Sequence, residues 1–324
     1  MRILVTGASG FIGLNLCEKL LEQGHKIMMV GKDSPPSSAV KFLKNLSGAL
    51  HIAQVDITNI NDITNLFTGF NPDAVIHGAS VTPGPKKEDE WFGQCIKVNI
   101  MGTVNILEVS RQFLRGRFLL LSSGAAYGSN AYKYNILDEF KTPCEPNSVY
   151  SISKYTAELL SFRASQLWGL DVVVARLSAA FGRWEYDTGV RETISPLTQI
   201  AKRALCGSHV VIPRPGVRDW LYGKEAGSML ASLLLAKNLT YNIYNISSGV
   251  QWSVLSWCQA LCSRFPNFTY FLADNTQYAN INFHSSRDRQ PLSIKRINEI
   301  GIYPNFTMQE ALDDYLVWLK LIDI

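Results

Sequence analysis

Short apolar runs alternate with amphipathic stretches through the first half of the chain. Residues 3–5, Ile-Leu-Val, form a continuous apolar run that predicts a buried strand. Residues 14–23 carry Leu16, Leu20 and Leu21 at helical spacing, and Gly24 closes that helix. Residues 26–30 repeat the strand pattern. The alternation then predicts helices over 37–46, 60–68, 98–113 and 149–168, and strands over 50–55, 73–77, 118–121 and 171–177. On the 98–113 helix, Ile100, Val104, Leu107 and Phe113 are expected to face inward. Strands without period-two alternation, separated by helices, predict a parallel sheet covered on both faces. The expected fold class is therefore α/β, a doubly wound parallel sheet (Rossmann) that binds ligands beyond the carboxyl ends of its strands.

After about residue 182 the pattern loosens. Helices are expected over 193–205, 228–237 and 253–264, with short strands at 210–212 and 242–245. Thr307-Met308-Gln309-Glu310 reads as a capping box opening a last helix over 308–321. This part predicts a smaller α+β lobe. The domain division is expected near residue 180, giving 1–180 and 181–324, with the lobes interlaced and the boundary approximate.

Composition narrows the function classes. The 324 residues are 47% hydrophobic and 18% charged, as in an ordinary globular protein. A net charge of +4 and no Lys/Arg run longer than two argue against nucleic-acid and anionic-membrane partners. The six cysteines form no C-x-x-C pair, so they read as free thiols in a reducing compartment, and no metal is expected. The apolar N-terminus is too short for a signal core, and the apolar run at 229–236 is far below the roughly 18 residues of a bilayer span. A cytoplasmic protein is expected.

Candidate chemistry lies at the predicted strand ends. Gly7, Gly10 and Gly13, spaced three apart between strand and helix, predict a dinucleotide turn. Gly7 permits the turn, Gly10 the approach of a pyrophosphate, and Gly13 close helix packing; Ser9, Phe11 and Ile12 complete the cradle. At the end of the second strand stand Gly31 and Lys32, where an acidic residue would hold a ribose 2′-hydroxyl. A small residue beside a cation leaves room and charge for a 2′-phosphate, which favours NADP over NAD. Asp56 ends the next strand, either to receive an adenine amino group or to form a turn before Ile57. Ser122 and Ser123 end the fifth strand. Tyr150 and Lys154, four apart on a helix, share a face, and an adjacent ammonium is expected to lower the phenol's pKa. Tyr150 is thus a candidate acid/base for a substrate hydroxyl.

Together these motifs identify the chain as similar to the extended short-chain dehydrogenase/reductases, the NAD(P)-dependent sugar epimerase/dehydratase group. Residues 6–13 resemble its T-G-x-x-G-x-x-G, His77-Gly78-Ala79-Ser80 its H-x-A-A, and Val98-Asn99-Ile100-Met101-Gly102-Thr103-Val104-Asn105 its V-N-x-x-G-T-x-N. Residues 122–128 are similar to its S-S-x-x-V-Y-G, 150–154 to its Y-x-x-x-K, Arg218-Asp219-Trp220 to its R-D-F/W, 245–249 to N-x-x-x-G, and 301–304 to G-x-x-P. The resemblance implies redox chemistry at a sugar hydroxyl. Tyr150 would be the acid/base, Ser123 the partner of the reacting oxygen, and Lys154 the holder of the nicotinamide ribose. It implies cofactor contacts from Asp56, Ile57, Ala79, Asn99 and Ser122, substrate contacts from Ser80, Thr82, Ser123, Arg183, Arg191, Arg218 and Arg287, and a homodimer formed through the 98–113 and 149–168 helices.

Two departures matter. The 4,6-dehydratases of the group carry an acidic pair after the catalytic hydroxyl, whereas this chain has Gly124 and Ala125, which disfavours dehydration. Residues 176–183 replace the group's substrate-side asparagine with Ala179 and its proline with Arg183, while Arg218 and Arg287 match its diphosphate-holding positions. The expected reaction is epimerisation or keto-reduction at C4 of a nucleotide sugar. A dehydrogenase of a free sugar or sugar acid, gripped by Arg183 or Arg191, and a non-catalytic dinucleotide sensor or scaffold are the other readings.

Overall fold

The structure, a computed structural model, describes residues 1–274, 278–283 and 285–322. Its centre is a seven-stranded sheet. The strands are β1 (Arg2–Thr6), β2 (Lys26–Gly31), β3 (Ala49–Gln54), β4 (Ala74–His77), β5 (Phe118–Ser123) and β6 (Val172–Leu177), and the seventh is Ile243–Ile246. In the order seventh-β6-β5-β4-β1-β2-β3, every pair is parallel. Helices α1 (Phe11–Glu22), α2 (Ser37–Leu43), α3 (Ile60–Phe70), α4 (Phe92–Cys95), α5 (Gly102–Phe113) and α6 (Val149–Trp168) make the crossovers.

The unbroken apolar strands follow from burial on both faces. Ile3 and Val5 of β1 enter one core with α1, while Leu4 enters a second with α3 and α5. In β6, Val173 and Ala175 face the first core, Val172 and Val174 the second.

Beyond β6 the chain builds helices α7 (Pro196–Leu205), α8 (Gly223–Leu235), α9 (Val254–Cys262), α10 (Lys295–Glu299) and α11 (Met308–Leu321), with three two-stranded ladders. This part also supplies the main sheet's seventh strand, where Asn245 pairs with Arg176, and α8 packs on α1. A Cβ on Gly227 would stand 2.5 Å from the Asn15 carbonyl oxygen, so the two helices touch backbone to backbone. The Thr307/Glu310 capping box is formed.

Several expected boundaries shift. The helix expected over 98–113 begins at Phe92 and passes through a π-turn, Ile96–Met101, before α5. The wider i→i+5 turn rotates the buried face. Asn99, Gly102, Thr103, Ile106, Leu107, Val109 and Ser110 are buried, and Ile100, Val104 and Phe113 only half-buried. α7 starts at Pro196 because the Ser195 hydroxyl caps it, and α8 starts five residues earlier than expected, at Gly223.

Candidate active site

At the carboxyl end of the sheet a cavity of about 530 Å³ opens between the glycine turn, the end of β5, the start of α6 and two loops of the smaller lobe. Thr6, Gly7, Gly10, Phe11, Ile12 and Gly13 form one wall. Gly7 has φ +68°, and a Cβ there would lie 2.6 Å from the Ala79 nitrogen. A Cβ on Gly13 would lie 2.3 Å from the Gly7 carbonyl oxygen. Only glycine fits either place. Gly10 caps α1 with no side chain on the free amides, so the helix N-terminus faces the cavity bare, as a bound phosphate requires. These observations fit a dinucleotide.

The catalytic candidates converge on the opposite wall. α6 starts at Val149 because Ser148 and Ser151 form a reciprocal capping box, while Glu88 accepts from the Val149 amide at 2.5 Å. That start puts Tyr150 in the first turn and Lys154 one turn on, both lining the cavity beside Ser123. Ser123 and Thr82 are hydrogen-bond partners of the Tyr150 phenol, and Arg191 acts on it electrostatically. Burial nevertheless holds the phenol above its ordinary pKa. The expected depression by Lys154 is therefore corrected: desolvation outweighs the favourable charges. Lys154 is itself pulled down to about 8 by burial, against the opposing pull of Glu158 and Cys95.

Other expected residues fall in four places. Ser80, Thr82, Arg191 and Arg218 line the cavity. Ser9 and Gly31 meet behind the glycine turn, where a Cβ on Gly31 would lie 2.7 Å from the Ser9 hydroxyl. Asp56 lies near enough to Lys32 and Lys97 to feel both charges, and Ile57 is buried under Gly102. Asp56 is also the turn residue that sequence left as its other reading: Oδ1 accepts from the Thr58 amide and hydroxyl at 2.9 and 2.8 Å. Burial opposes its ionisation, but those bonds and the two lysines outweigh it and hold the carboxyl below its usual range. Ala79 donates its amide to the Thr6 hydroxyl, which also meets buried His77 at 2.7 Å.

Four more expected residues direct their side chains elsewhere in this structure. Asn99 clamps the Val81 backbone, accepting at 2.8 Å and donating at 2.9 Å, and donates to Ser153, so it positions α6 rather than facing the cavity. Ser122 borders the cavity, but its hydroxyl turns away to Glu158. Arg183 points to the far side of α1, with Nη2 2.7 Å from Asp314 and Nη1 3.3 Å from Glu18. Its place is forced by Trp184, wholly buried with φ +63°, whose indole donates to Glu18 at 2.5 Å. Arg287 is exposed on the rim, its guanidinium 5.8 Å from the Tyr132 ring.

The cavity's other arginine is Arg289, which sequence reasoning passed over. Its Nη2 donates to Ser178 at 2.8 Å and lies 3.3 Å from Asp219. A Cβ on Gly124 would meet its Nη1 at 3.2 Å. Arg287 and Arg289 are two apart, so alternation alone gives no reason to prefer either, and a bend at 286–287 separates their directions. Tyr186 was also missed: its hydroxyl donates to the Ser9 carbonyl at 2.6 Å. The same loop is tied to the 80–84 loop, where Thr82 N donates to Val190 O at 2.8 Å and Glu192 N to Thr82 O at 3.2 Å. Arg191 lies 6.0 Å over the Phe11 ring and donates to Glu185 at 2.7 Å.

Among the described residues all six cysteines are unpaired, no helix is long and apolar enough to cross a membrane, and no group of three or more His/Cys/Asp/Glu could hold a metal.

A doubly wound sheet, a dinucleotide turn and a Ser–Tyr–Lys cluster in one cavity define a short-chain dehydrogenase/reductase of the extended type. The model of the NAD dependent epimerase/dehydratase family matches residues 3–247, and the chain belongs to that family of enzymes. It is 26% identical to a dTDP-glucose 4,6-dehydratase of Haemophilus influenzae, over 98% of this chain and 97% of that protein. It is 25% identical to a putative UDP-glucose 4-epimerase of Methanocaldococcus jannaschii, over 98% of each. The fold superposes on the UDP-glucose 4-epimerase of Thermotoga maritima, solved with UDP-glucose, with a TM-score of 0.82 at 23% identity, covering 99% of both chains.

Proposed function

We propose that this chain is a cytoplasmic NAD(P)-dependent 4-epimerase of a nucleotide sugar. Residues 1–180 would supply the dinucleotide site and 181–324 most of the sugar-nucleotide site. The observation that carries the reading is the meeting of Ser123, Tyr150 and Lys154 with the glycine turn in one cavity whose β5 end, Gly124-Ala125, has no ionisable side chain. A 4,6-elimination needs a second acid/base there; a proton and hydride exchange at one carbon does not.

In this reading the dinucleotide supplies hydride acceptance and return at nicotinamide C4. Tyr150 takes the proton of the C4 hydroxyl and returns it. Ser123 holds the reacting oxygen against that phenol. Lys154, buried and cationic below about pH 8, favours the phenolate as the proton leaves. Burial makes the phenol a reluctant acid in the cavity as it stands, so its ionisation depends on these charges.

Arg218 and Arg289 line the far wall, Arg214 shares Asp288 with Arg218, and Asp219 pairs with Arg289. Burial and the neighbouring Arg289 and Arg214 charges pull Arg218 down to about 10. Crowded cations of this kind favour an anion such as a diphosphate, which supports a nucleotide sugar over a free sugar. The 183–192 loop, tied to the glycine turn by Tyr186 and to the 80–84 loop by Thr82, crosses the cleft as a strap. That favours a dinucleotide retained between turnovers, as epimerisation allows and net reduction does not. Gly31 and Lys32 support NADP, and the exposed Ile152, Leu159 and Leu167 of α6 support a homodimer.

The test is a panel of UDP-, dTDP-, CDP- and GDP-sugars against free uronic acids, assayed without added dinucleotide. Interconversion of C4 epimers of one nucleotide sugar is expected. Turnover only with stoichiometric NADPH would make it a ketoreductase, and binding of free uronic acids alone would end the nucleotide-sugar reading.

A further inference from the structure

Behind the proposed catalytic pair lies a buried carboxylate that the proposed chemistry does not use. Glu158 is 0% exposed on α6. It stands one turn after Lys154, which stands one turn after Tyr150, so all three share a face of the helix. Glu158 Oε1 accepts from the Ser122 hydroxyl at 2.5 Å and from Arg176 Nε at 2.9 Å, and Oε2 accepts from Arg176 Nη2 at 2.6 Å. Arg176, on β6, stacks 4.7 Å from the Tyr127 ring, and the Tyr127 hydroxyl donates to Asn245 on the seventh strand at 3.1 Å. Glu158 therefore joins α6, β5, β6 and, through Tyr127, the sheet's edge strand at one point.

A buried ion pair is an inefficient way to stabilise a core, because desolvation of the two charges offsets their attraction. This pair stands where it does two further things. It fixes the residue immediately before Ser123, and it is the carboxylate felt at Lys154. The charged and titratable groups that interact with Lys154 are Glu158 from α6, His77 from the end of β4 and Cys95 from α4, with Arg176 of β6 behind Glu158. His77 is held neutral, pushed down to about 3 by burial and by Lys154 itself, and Cys95 is raised, chiefly by burial. Of the two groups that oppose the fall of Lys154, Glu158 acts more strongly than Cys95.

Resting on the function proposed above, we propose that Glu158 is a positioning residue for the catalytic pair. It keeps the Lys154 ammonium charged from one turn behind and, through Ser122, fixes the strand end that presents Ser123 to Tyr150.

The test is an NMR titration of isotope-labelled lysine in the full chain, with Lys154 assigned by the loss of its signal in Lys154→Met. In Glu158→Gln the Lys154 titration is expected to move down by about one pH unit or more, a tenfold change in its protonation equilibrium. The alkaline limb of kcat should move with it. Glu158→Asp, which keeps the charge, is expected to leave the titration near its original place. If Glu158→Gln does not fold, Glu158→Met/Arg176→Met replaces the whole pair with apolar side chains and is read in the same way. A Lys154 titration unchanged in the folded variant, with turnover lost equally at every pH, would overturn the proposal and make Glu158 a structural pillar. A titration that moves while the kcat limb stays fixed would uphold the charge relation and count instead against the role proposed for Lys154.

Discussion

Two arginine clusters flank the carboxyl edge of the sheet, and they are built oppositely. Around Arg183, Glu18 and Asp314 surround the guanidinium, with Lys224 and the Tyr222 hydroxyl completing the shell of Asp314. Burial opposes the charge there, but Tyr222, Asp314 and Glu18 outweigh it and raise the Arg183 pKa. Around Arg218 the balance reverses: burial and the Arg289 and Arg214 charges win over Asp288, and the pKa falls to about 10. The first cluster satisfies itself and joins α1 to α11. The second is short of negative charge and faces a cavity. A buried cation shows a binding role through the balance of charges around it rather than through its identity.

The comparison can be tested by variants. Tyr150→Phe has the largest expected effect, about a thousandfold loss of kcat, with binding of dinucleotide and nucleotide sugar retained in equilibrium titration. It gives a silent enzyme in which the Arg218–Arg289 wall is measured by binding alone. Retained turnover would remove Tyr150 from the chemistry and the cavity from its proposed role.

The two clusters should then separate. Arg183→Met leaves the Glu18 and Asp314 carboxylates without their cation and should cost on the order of 3 kcal/mol of stability, read by denaturant midpoint, with KM unchanged. Arg289→Met takes the cation from buried Asp219 and should also cost up to about 3 kcal/mol of stability, but unlike Arg183→Met it should weaken nucleotide-sugar affinity roughly thirtyfold, as loss of a charge-assisted bond does. A raised KM in Arg183→Met would break the contrast.

Lys32 extends the comparison to a third cation. Gly31→Asp, made together with Ser9→Gly to clear the hydroxyl 2.7 Å from the new Cβ, should shift the NADP/NAD preference about tenfold toward NAD, one charge-assisted contact's worth. Unchanged or tighter NADP binding would refute the 2′-phosphate reading.

The smallest effect is on pH dependence. Lys154 titrates near 8 in the fold and at its ordinary 10.5 when unfolded. Between those values the unfolded chain binds more protons, so this residue's contribution makes stability rise with pH. The difference in melting temperature between the wild type and Lys154→Met should therefore change between pH 7.5 and 9.5 (about 1.4 kcal/mol per pH unit at most). Arg218, with its pKa near 10, stays mainly charged over that range, so nucleotide-sugar affinity should change little below pH 9. An affinity that falls in step with Lys154 would join the two sites that the charge balance separates.

Legibility differed by kind of residue. The glycine turn could be read because Gly7 and Gly13 stand where any Cβ collides with backbone, and backbone geometry follows the local strand–turn–helix pattern. Tyr150 and Lys154 could be read because helical spacing is local. Asn99 misled because a π-turn lies over it, and its amide is spent on Val81. Arg183 misled because its partners are 165 and 131 residues away. The 275–277 segment, residue 284 and residues 323–324 lie outside the described residues; of these only the last two fall in an expected element's neighbourhood, just after the 308–321 helix.

The amino-acid pattern by itself determined the alternation of strands and helices, the turn that only glycine can make, and the shared face of Tyr150 and Lys154. Each depends on steric and periodic rules acting within a few residues. Tertiary structure decided the rest: which arginines reach the cavity, that burial lifts the Tyr150 phenol despite the Arg191 guanidinium, and that Ser122 serves Glu158. Those outcomes depend on desolvation and on charges brought together from distant parts of the chain, quantities that no local spacing contains.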